Sequence, residues 1–474
     1  MNIARSSIGI FAAKASISLA VLSSTLYAAQ TLGAAPLGVY FLFHSTAVLL
    51  STSTDMGIVM ATKKRISEGS DRAKFFTASL LVRSLILVFV ALAITLLSDY
   101  INEYVGIESS ALFLVGVLFL SVLKMSVKSG LDGEMKVVRS AFVGAIQEFG
   151  KFAFWIVAIQ QGLGEFGLIA GLGFGYVIAI VYGFLMMDIG LAVPSWEQIE
   201  SLYAFSKFSW LTSIANKMWN WVDVLVLGLF VASNFIAIYE VSWKITGVFY
   251  FASVALSEAI FPKVSNLHYQ GKHDESRQLI NRAVTYSGVL VIPGIVGSIF
   301  LGEHVLAVYG EEFSAGYEIM AILMVGRIFH CYYSVLAFTL NAVDRPDLAF
   351  RINAVFLVTN VIGNFGLVMV MGWTGAAIAT AGSMLVSLGL ASTYIKQIVN
   401  VGIDYQAISK QIVSATSMGL GLLLFQRLYS IDSLPFLAVA VAAGGAIYFL
   451  SLSLLHRDAV VAFVERYQPI RRNT

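Results

Sequence analysis

The sequence predicts an all-α polytopic membrane protein with about 14 transmembrane helices, and three observations carry that prediction. Of 474 residues, 58% are hydrophobic and 12% charged, with a mean hydropathy of +0.82; soluble domains average about 25% charged residues. Apolar runs near the length needed to cross a bilayer core, about 20 helical residues, recur along the whole chain. The gaps between them are too short for a separate domain, and helices are the default because they satisfy their own backbone hydrogen bonds in lipid. Other classes drop out early. Thirty basic against 28 acidic residues give a net charge of +2, which is no nucleic-acid footprint. The single cysteine, Cys331, excludes an intramolecular disulfide and a Cys-based zinc cluster. With no HExxH, paired-Cys or Gly-rich phosphate motif, neither a metal enzyme nor an ATPase is indicated, and no cofactor is expected.

The spans follow in order. The first centres near Leu19. Arg5 and an apolar run imitate a secretory signal, but Lys14 interrupts the run and the segment continues to Leu32, so it reads as an uncleaved span. Span 2, near Val48, leads into the basic "TKKRISEGSDRAK"; span 3, near Val88, leads into "SDYINEYVGIESS", which has no Lys or Arg. Arg83, near the predicted cytoplasmic end of span 3, is expected to snorkel. Span 4 (Val117) is followed by Lys124, Lys128, Lys136 and Arg139, and span 5 (Phe154) by Glu165 alone. The gap after span 6 (Ile178) is weakly charged, and span 7 centres on Trp219. Lys263, Lys272, Arg277 and Arg282 follow span 8 (Val248), and Glu303, Glu311 and Glu312 follow span 9 (Leu290). Arg345 and Arg351 follow span 10 (Met324); spans 11 to 14 centre near Val361, Met384, Gly419 and Gly444. Basic and non-basic gaps alternate, Arg427 being the one misplaced cation, so both termini are predicted to be cytoplasmic, in agreement with Arg457, Arg466, Arg471 and Arg472.

An internal echo divides the chain. Gly38-Val39-Tyr40 opens a span that ends in a basic loop with Glu68-Gly69, and Ala237-Ile238-Tyr239 opens another that ends in a basic loop with Gln270-Gly271. Span 6 has Gly167, Gly171 and Gly175, and span 12 has Gly375, Ala379 and Ser383 at the same spacing, a pattern that lets helices approach closely in lipid. Six spans separate the members of each pair, which predicts parallel repeats with a site between them. The expected domains are an N-lobe (residues 1–200, helices 1–6), a C-lobe (201–400, helices 7–12), and helices 13–14 with a cytoplasmic tail (401–474).

Polar stripes then mark the candidate site. In span 7, Ser209, Thr212, Asn216, Asn220 and Asp223 recur every three or four residues and share a face, with Lys217 beside it. Span 1 aligns Ser7, Lys14, Ser18 and Thr25; span 2 aligns His44, Ser51 and Asp55; span 8 aligns Glu240, Lys244, Gly247 and Glu258. Gln147, Glu148 and Lys151 cluster in span 5, Arg327, Ser334 and Asn341 in span 10, and Asn353, Asn360 and Asn364 in span 11. An ionised side chain at a helix centre costs about 2.5–3.5 kcal/mol on insertion scales, so these groups are expected to face water, one another or a substrate in one central polar cavity. Two pairs, Glu240–Lys244 and Glu148–Lys151, suit internal struts equally well. Lys14 and Lys217 have no acid at pairing distance on their own helices, which favours the cavity role.

Several segments carry a family resemblance: "LGVYFLF" with "KKRISEG", "WNWVDVLVLGLFVASNFIAIYEVSWKI", "YGEEFSAGYEIMAILM", and "LNAVDRPDLAFRINAVFLVTNVIGNFGLVMVMGWTGAAIATAGSML". In their order and spacing the chain resembles the multidrug/oligosaccharidyl-lipid/polysaccharide (MOP) exporter superfamily, and within it the prokaryotic flippases for lipid-linked oligosaccharides and polysaccharide precursors. The resemblance implies two six-helix lobes around a central V-shaped cavity plus two extra C-terminal helices. It implies a polyisoprenyl-(pyro)phosphate-linked sugar as substrate, carried to the outer face of the cell membrane by alternating access, with membrane lipids and glycan-assembly enzymes as partners. By position, Lys14, Lys151, Lys217, Lys244 and Arg327 are the expected phosphate-binding cations, and Asp55, Glu148, Asp223 and Glu240 the charge-balancing or ion-coupling acids. The alternative is a cation-coupled multidrug exporter of the same superfamily. Those usually have twelve spans and acids in the first lobe, whereas span 1 here carries Lys14 and no acid. A membrane glycosyltransferase would need a long extramembrane loop, and none is present in the sequence.

Overall fold

The computed structural model describes residues 3–399, 401–431 and 433–455, with side chains from residue 9 onward except 207–218. Among these residues all regular structure is helical. The chain forms α1 (Ile3–Leu32), α2 (Ala34–Asp55), α3 (Ile58–Ser67), α4 (Arg72–Leu96), α5 (Ser98–Val105), α6 (Ser110–Gly133), α7 (Val137–Gln160), α8 (Gly164–Met186) and α9 (Trp196–Phe230). Then come α10 (Ser233–Gly247), α11 (Phe251–Tyr269), α12 (His273–Ser287), α13 (Val291–Ala307), α14 (Tyr317–Ala342), α15 (Pro346–Met371), α16 (Trp373–Ile398), α17 (Tyr405–Leu428) and α18 (Leu434–Leu455). Two compact units divide within α10, Met1–Glu240 and Val241–Thr474. Thirteen segments among the described residues are long and apolar enough to cross a membrane, and α9 adds the apolar stretch Trp219–Phe230, in line with the span count expected from sequence.

In the first unit α7 packs between α1 and α8, and α6 against α4 and α8. Gly175 explains the closeness of α7 and α8: a Cβ there would stand 2.6 Å from the Gln147 carbonyl oxygen, so only glycine fits. Trp155 Nε1 donates to Leu168 O across the same seam at 2.9 Å. Span 2 and its basic loop turn out to be two helices. Met56 (φ 43°) and Gly57 (φ 79°) adopt left-handed backbone and stop α2. Asp55 Oδ1 then accepts the Val59 N–H at 3.1 Å, one of the donors that the start of α3 leaves without a helical partner. The basic residues Lys63, Lys64 and Arg65 therefore sit on a short helix, with Lys63 at 3.6 Å from Asp132 and Arg65 at 3.0 Å from Glu68. The acidic stretch after span 3 also folds, as α5. Between α6 and α7, Lys136 bridges Glu134 (2.9 Å) and Asp188 (2.6 Å), and its hydrogen bond holds the Asp188 carboxyl below the usual carboxylate range.

In the second unit span 8 is not one uninterrupted α-helix, although Ser233–Tyr269 stays helical throughout. After Gly247 the backbone tightens into a 3₁₀ turn, Val248–Tyr250, before α11 begins. α15 lies along α16, where Gly375 faces the Leu367 carbonyl and Asn360 Nδ2 donates to Thr380 Oγ1 at 3.0 Å. α17 and α18 pack on α13 through a core containing Leu301, Met418, Leu422 and Tyr448. Side-chain hydrogen bonds to backbone carbonyls fix them there: Gln411 to Thr285 O (3.0 Å), Gln426 to Phe300 O (2.7 Å) and Tyr448 to Val289 O (2.8 Å).

Candidate functional site

The expected site residues resolve into a group in each unit. In the first unit, one line of polar contacts joins α6 to α7. Lys124 Nζ donates to Gln147 Oε1 (2.9 Å), Gln147 Nε2 donates to Glu148 Oε1 (2.8 Å), and Lys151 Nζ stands 2.6 Å from Glu148 Oε2. Aromatic faces receive the ammonium groups: Lys124 lies 3.8 Å from the Tyr176 ring centroid and Lys151 4.8 Å from that of Trp155, the arrangement that attracts cations in weakly solvated surroundings. Tyr40 meets Trp155 edge-on at 4.9 Å and stacks on His44 at 5.8 Å, and His44 meets Trp221 of α9 at 4.8 Å. Nearby, Asp223 accepts a 2.6 Å hydrogen bond from the Tyr239 hydroxyl, and Glu240 is buried on α10. Lys14 is exposed on α1. The side chains of Ser7, Ser209, Thr212, Asn216 and Lys217 fall outside the described residues.

In the second unit, Arg327 is 4% exposed. Its guanidinium carbon sits 3.6 Å above the Trp243 ring, Nη2 donates to Trp243 O at 3.2 Å, and Nη1 lies 3.4 Å from His330 Nδ1. Lys244, next in sequence to Trp243, is half-buried. The span-10 stripe holds for Arg327 and Ser334, which are buried, but Asn341 is exposed and bonds Ala337 O. Glu258, aligned with Glu240 and Lys244 in the sequence, is exposed beyond the 3₁₀ turn. Asn360 and Asn364 are buried on one face of α15. Among the described residues no three His, Cys, Asp or Glu side chains form a metal cluster.

Two readings need correction. Arg83 does not snorkel: it is fully buried, and Nη1 donates to Val122 O (3.1 Å) and Ser126 Oγ (2.8 Å) of α6, with the Asp55 carboxylate within electrostatic reach. Its position in span 3 puts it against α6 rather than at a lipid boundary, so the packing partner overrides the reach of the side chain. Arg83→Met should lower stability by about 1.5–3 kcal/mol, the usual worth of a charged hydrogen bond, read as a drop in melting temperature in detergent; a snorkelling arginine would change it little. Lys124, counted with the gap after span 4, belongs to α6 itself. The signals for this line were at hand: Lys151 and Trp155, like Tyr40 and His44, are four residues apart on one face. What sequence could not show was that Lys124 of α6 and Gln147 of α7 meet.

Comparison with known proteins decides the family. The family described as "Polysaccharide biosynthesis protein" matches residues 29–318. The chain belongs to it. The Haloferax volcanii protein named "Probable low-salt glycan biosynthesis flippase Agl15" is 28% identical over 99% of this chain and 97% of its own length. "Probable flippase AglR" of the same organism is 31% identical, over 92% of this chain and 93% of its own. Among solved structures, the lipid II flippase MurJ in an inward closed conformation superposes with a TM-score of 0.77 at 15% identity, covering 96% of this chain and 99% of that one. A multidrug resistance MATE family transporter of the MOP superfamily, inward-facing, reaches 0.67 at 12% identity over 81% of this chain and 94% of its own. The all-helical fold and the resemblance to flippases read from the sequence stand, and the likeness to the MurJ and MATE structures is one of fold. This family member is a multi-pass membrane protein.

Proposed function

We propose that this transporter is a flippase for a polyisoprenyl-(pyro)phosphate-linked oligosaccharide or polysaccharide precursor, moving it from the cytoplasmic to the outer face of the cell membrane. The observation that carries the reading is full-length similarity to two proteins named as flippases. The polar residues on otherwise apolar spans support it. A multidrug exporter fits less well: the MATE structure covers less of this chain than MurJ does, and α1 carries Lys14 with no acid among its residues.

In this reading Lys14, Lys217 and Lys244 take the phosphate, while Lys151 and Arg327, each with close protein partners, act as structural supports. Asp55, Asp223 and Glu240 balance charge or couple an ion, and Glu148 balances Lys151 within their pair. Charged hydrogen bonds to the lysines offset the desolvation of the phosphate, and the isoprenoid tail stays in lipid throughout. A conformational change then opens the path outward. An interior-negative potential favours the outward passage of an anion by about 2.3 kcal/mol per charge per 100 mV. Residues 1–200 and 201–400 act as the repeated lobes, with 401–474 appended; both termini are cytoplasmic, and enzymes that build or use the glycan are the partners.

Deletion of the gene tests the reading. Lipid-linked saccharide is expected to accumulate, by mass spectrometry of extracted lipids, while surface glycan falls. Unchanged intermediates and intact surface glycan, in a strain without a paralogue, would overturn it.

A further inference from the structure

We infer that Arg327 is a positioning residue: it splints the break in span 8 and so sets where the neighbouring Lys244 stands. The inference rests on the flippase reading for its consequence, though not for its geometry. The break leaves α10 ending at Gly247, followed by the 3₁₀ turn Val248–Tyr250 and then α11. At this break the hydrogen bonding switches from α to 3₁₀ while the backbone stays right-handed helical, and such a mid-helix 3₁₀ stretch bends more readily than unbroken α-helix unless something outside holds it. α14 holds it at three places. Before the break, Trp243 O accepts from Arg327 Nη2 (3.2 Å) as well as from Thr246 Oγ1 (3.0 Å), and the indole face lies 3.6 Å under the guanidinium. At the break, Tyr250 stacks on His330 with ring centroids 4.1 Å apart and planes 13° apart. After it, Ser253 Oγ donates to Cys331 O at 2.7 Å and lies 3.0 Å from Ser334 Oγ.

Arg327 is the member of this splint that reaches back across the break. Stacking covers one face of its guanidinium, and both Nη groups are directed at protein: Nη2 at Trp243 O and Nη1 at His330 Nδ1. A planar fork that stacks and bonds at once is something lysine cannot reproduce. A charge that merely attracted phosphate would survive replacement by lysine; a splint would not. Trp243 is bonded directly to Lys244, so loss of the splint moves Lys244 first.

The chain's single cysteine, Cys331, is fully buried, which allows a labelling test. Lys244→Cys, purified in detergent, is reacted with a small maleimide, alone and combined with Arg327→Lys or with Trp243→Phe. Both second changes are expected to shift the labelling rate several-fold in the same direction. In parallel, Arg327→Lys is expected to slow flipping of a fluorescent polyprenyl-pyrophosphate-linked disaccharide in vesicles on the order of tenfold or more, a cost typical of a displaced binding group, and nearly as much as Arg327→Gln. An unaltered labelling rate overturns the inference, and Trp243→Phe alone decides it if Arg327→Lys fails to fold. Normal flipping by Arg327→Lys beside loss in Arg327→Gln also overturns it, since charge alone would then suffice. If wild-type protein flips no saccharide lipid while the labelling shift persists, the splint stands and the functional reading fails.

Discussion

Replacement of Lys151 by Met is expected to destabilise the protein by about 3–5 kcal/mol, the cost of breaking a buried ion pair from one side. The second replacement, Glu148→Gln, is expected to recover most of that loss. The pair is short, 2.6 Å, and its side chains are only 7% and 13% exposed. Without Lys151, the Glu148 carboxylate keeps the Gln147 amide but loses its counter-charge in a region walled by Tyr40 and Trp155. Removing both charges leaves neutral groups of similar volume, an exchange that is often neutral or even favourable. Melting temperatures of the two single variants and the double variant in detergent check this. Transport separates the roles: the double variant is expected to flip saccharide lipid at close to the wild-type rate, because the pair is a strut. A stable double variant with an order-of-magnitude lower rate would put Lys151 on the head group instead.

The fold was legible because a bilayer simplifies the code. Span length, small residues at four-residue spacing and alternating basic gaps each follow from one physical demand. What escaped is what needs tertiary contact or local backbone geometry. Nothing in "TDMGIVMATKKR" announces that Met56 adopts left-handed backbone beside Gly57 and turns the basic stretch into α3. Likewise, Gly247 in "WKITGVFY" is one glycine among 40, yet it marks the end of α10. A stripe read at 3.6 residues per turn takes no account of that 3₁₀ turn, and Glu258 beyond it is exposed.

The site was legible one helix at a time. Periodicity found Gln147, Glu148 and Lys151 on α7 and Arg327 on α14, because each stripe is local. It was silent on partners from other helices: Tyr176 under Lys124, Trp243 under Arg327, and α6 beside Arg83. Arg83 shows the limit best. A cation near a predicted span end reads as interfacial from sequence, and only the carbonyl of Val122 and the hydroxyl of Ser126 reveal that it is interior.

Lys14→Gln is expected to slow flipping about tenfold to a hundredfold while leaving the melting temperature almost unmoved. Lys14 is exposed on α1, and substitutions at such positions usually alter stability by less than about 0.5 kcal/mol. A charged hydrogen bond to phosphate is worth about 1.5–3 kcal/mol, which sets the range of the transport loss. The two lysines differ in position: Lys151 is tied to an acid in the protein interior, and Lys14 is exposed on α1. Lys14→Arg should retain most of the rate, because charge and hydrogen-bonding capacity persist, and Lys14→Glu should abolish it. Vesicles reconstituted with each variant and a fluorescent saccharide lipid give the rates, and thermal unfolding of the same preparations gives the stabilities. Full-rate flipping by Lys14→Gln would remove the first helix from the anion path and leave Lys217 and Lys244 to receive the phosphate; a rate restored by Lys14→Arg alone would fix the requirement as positive charge at that depth of α1.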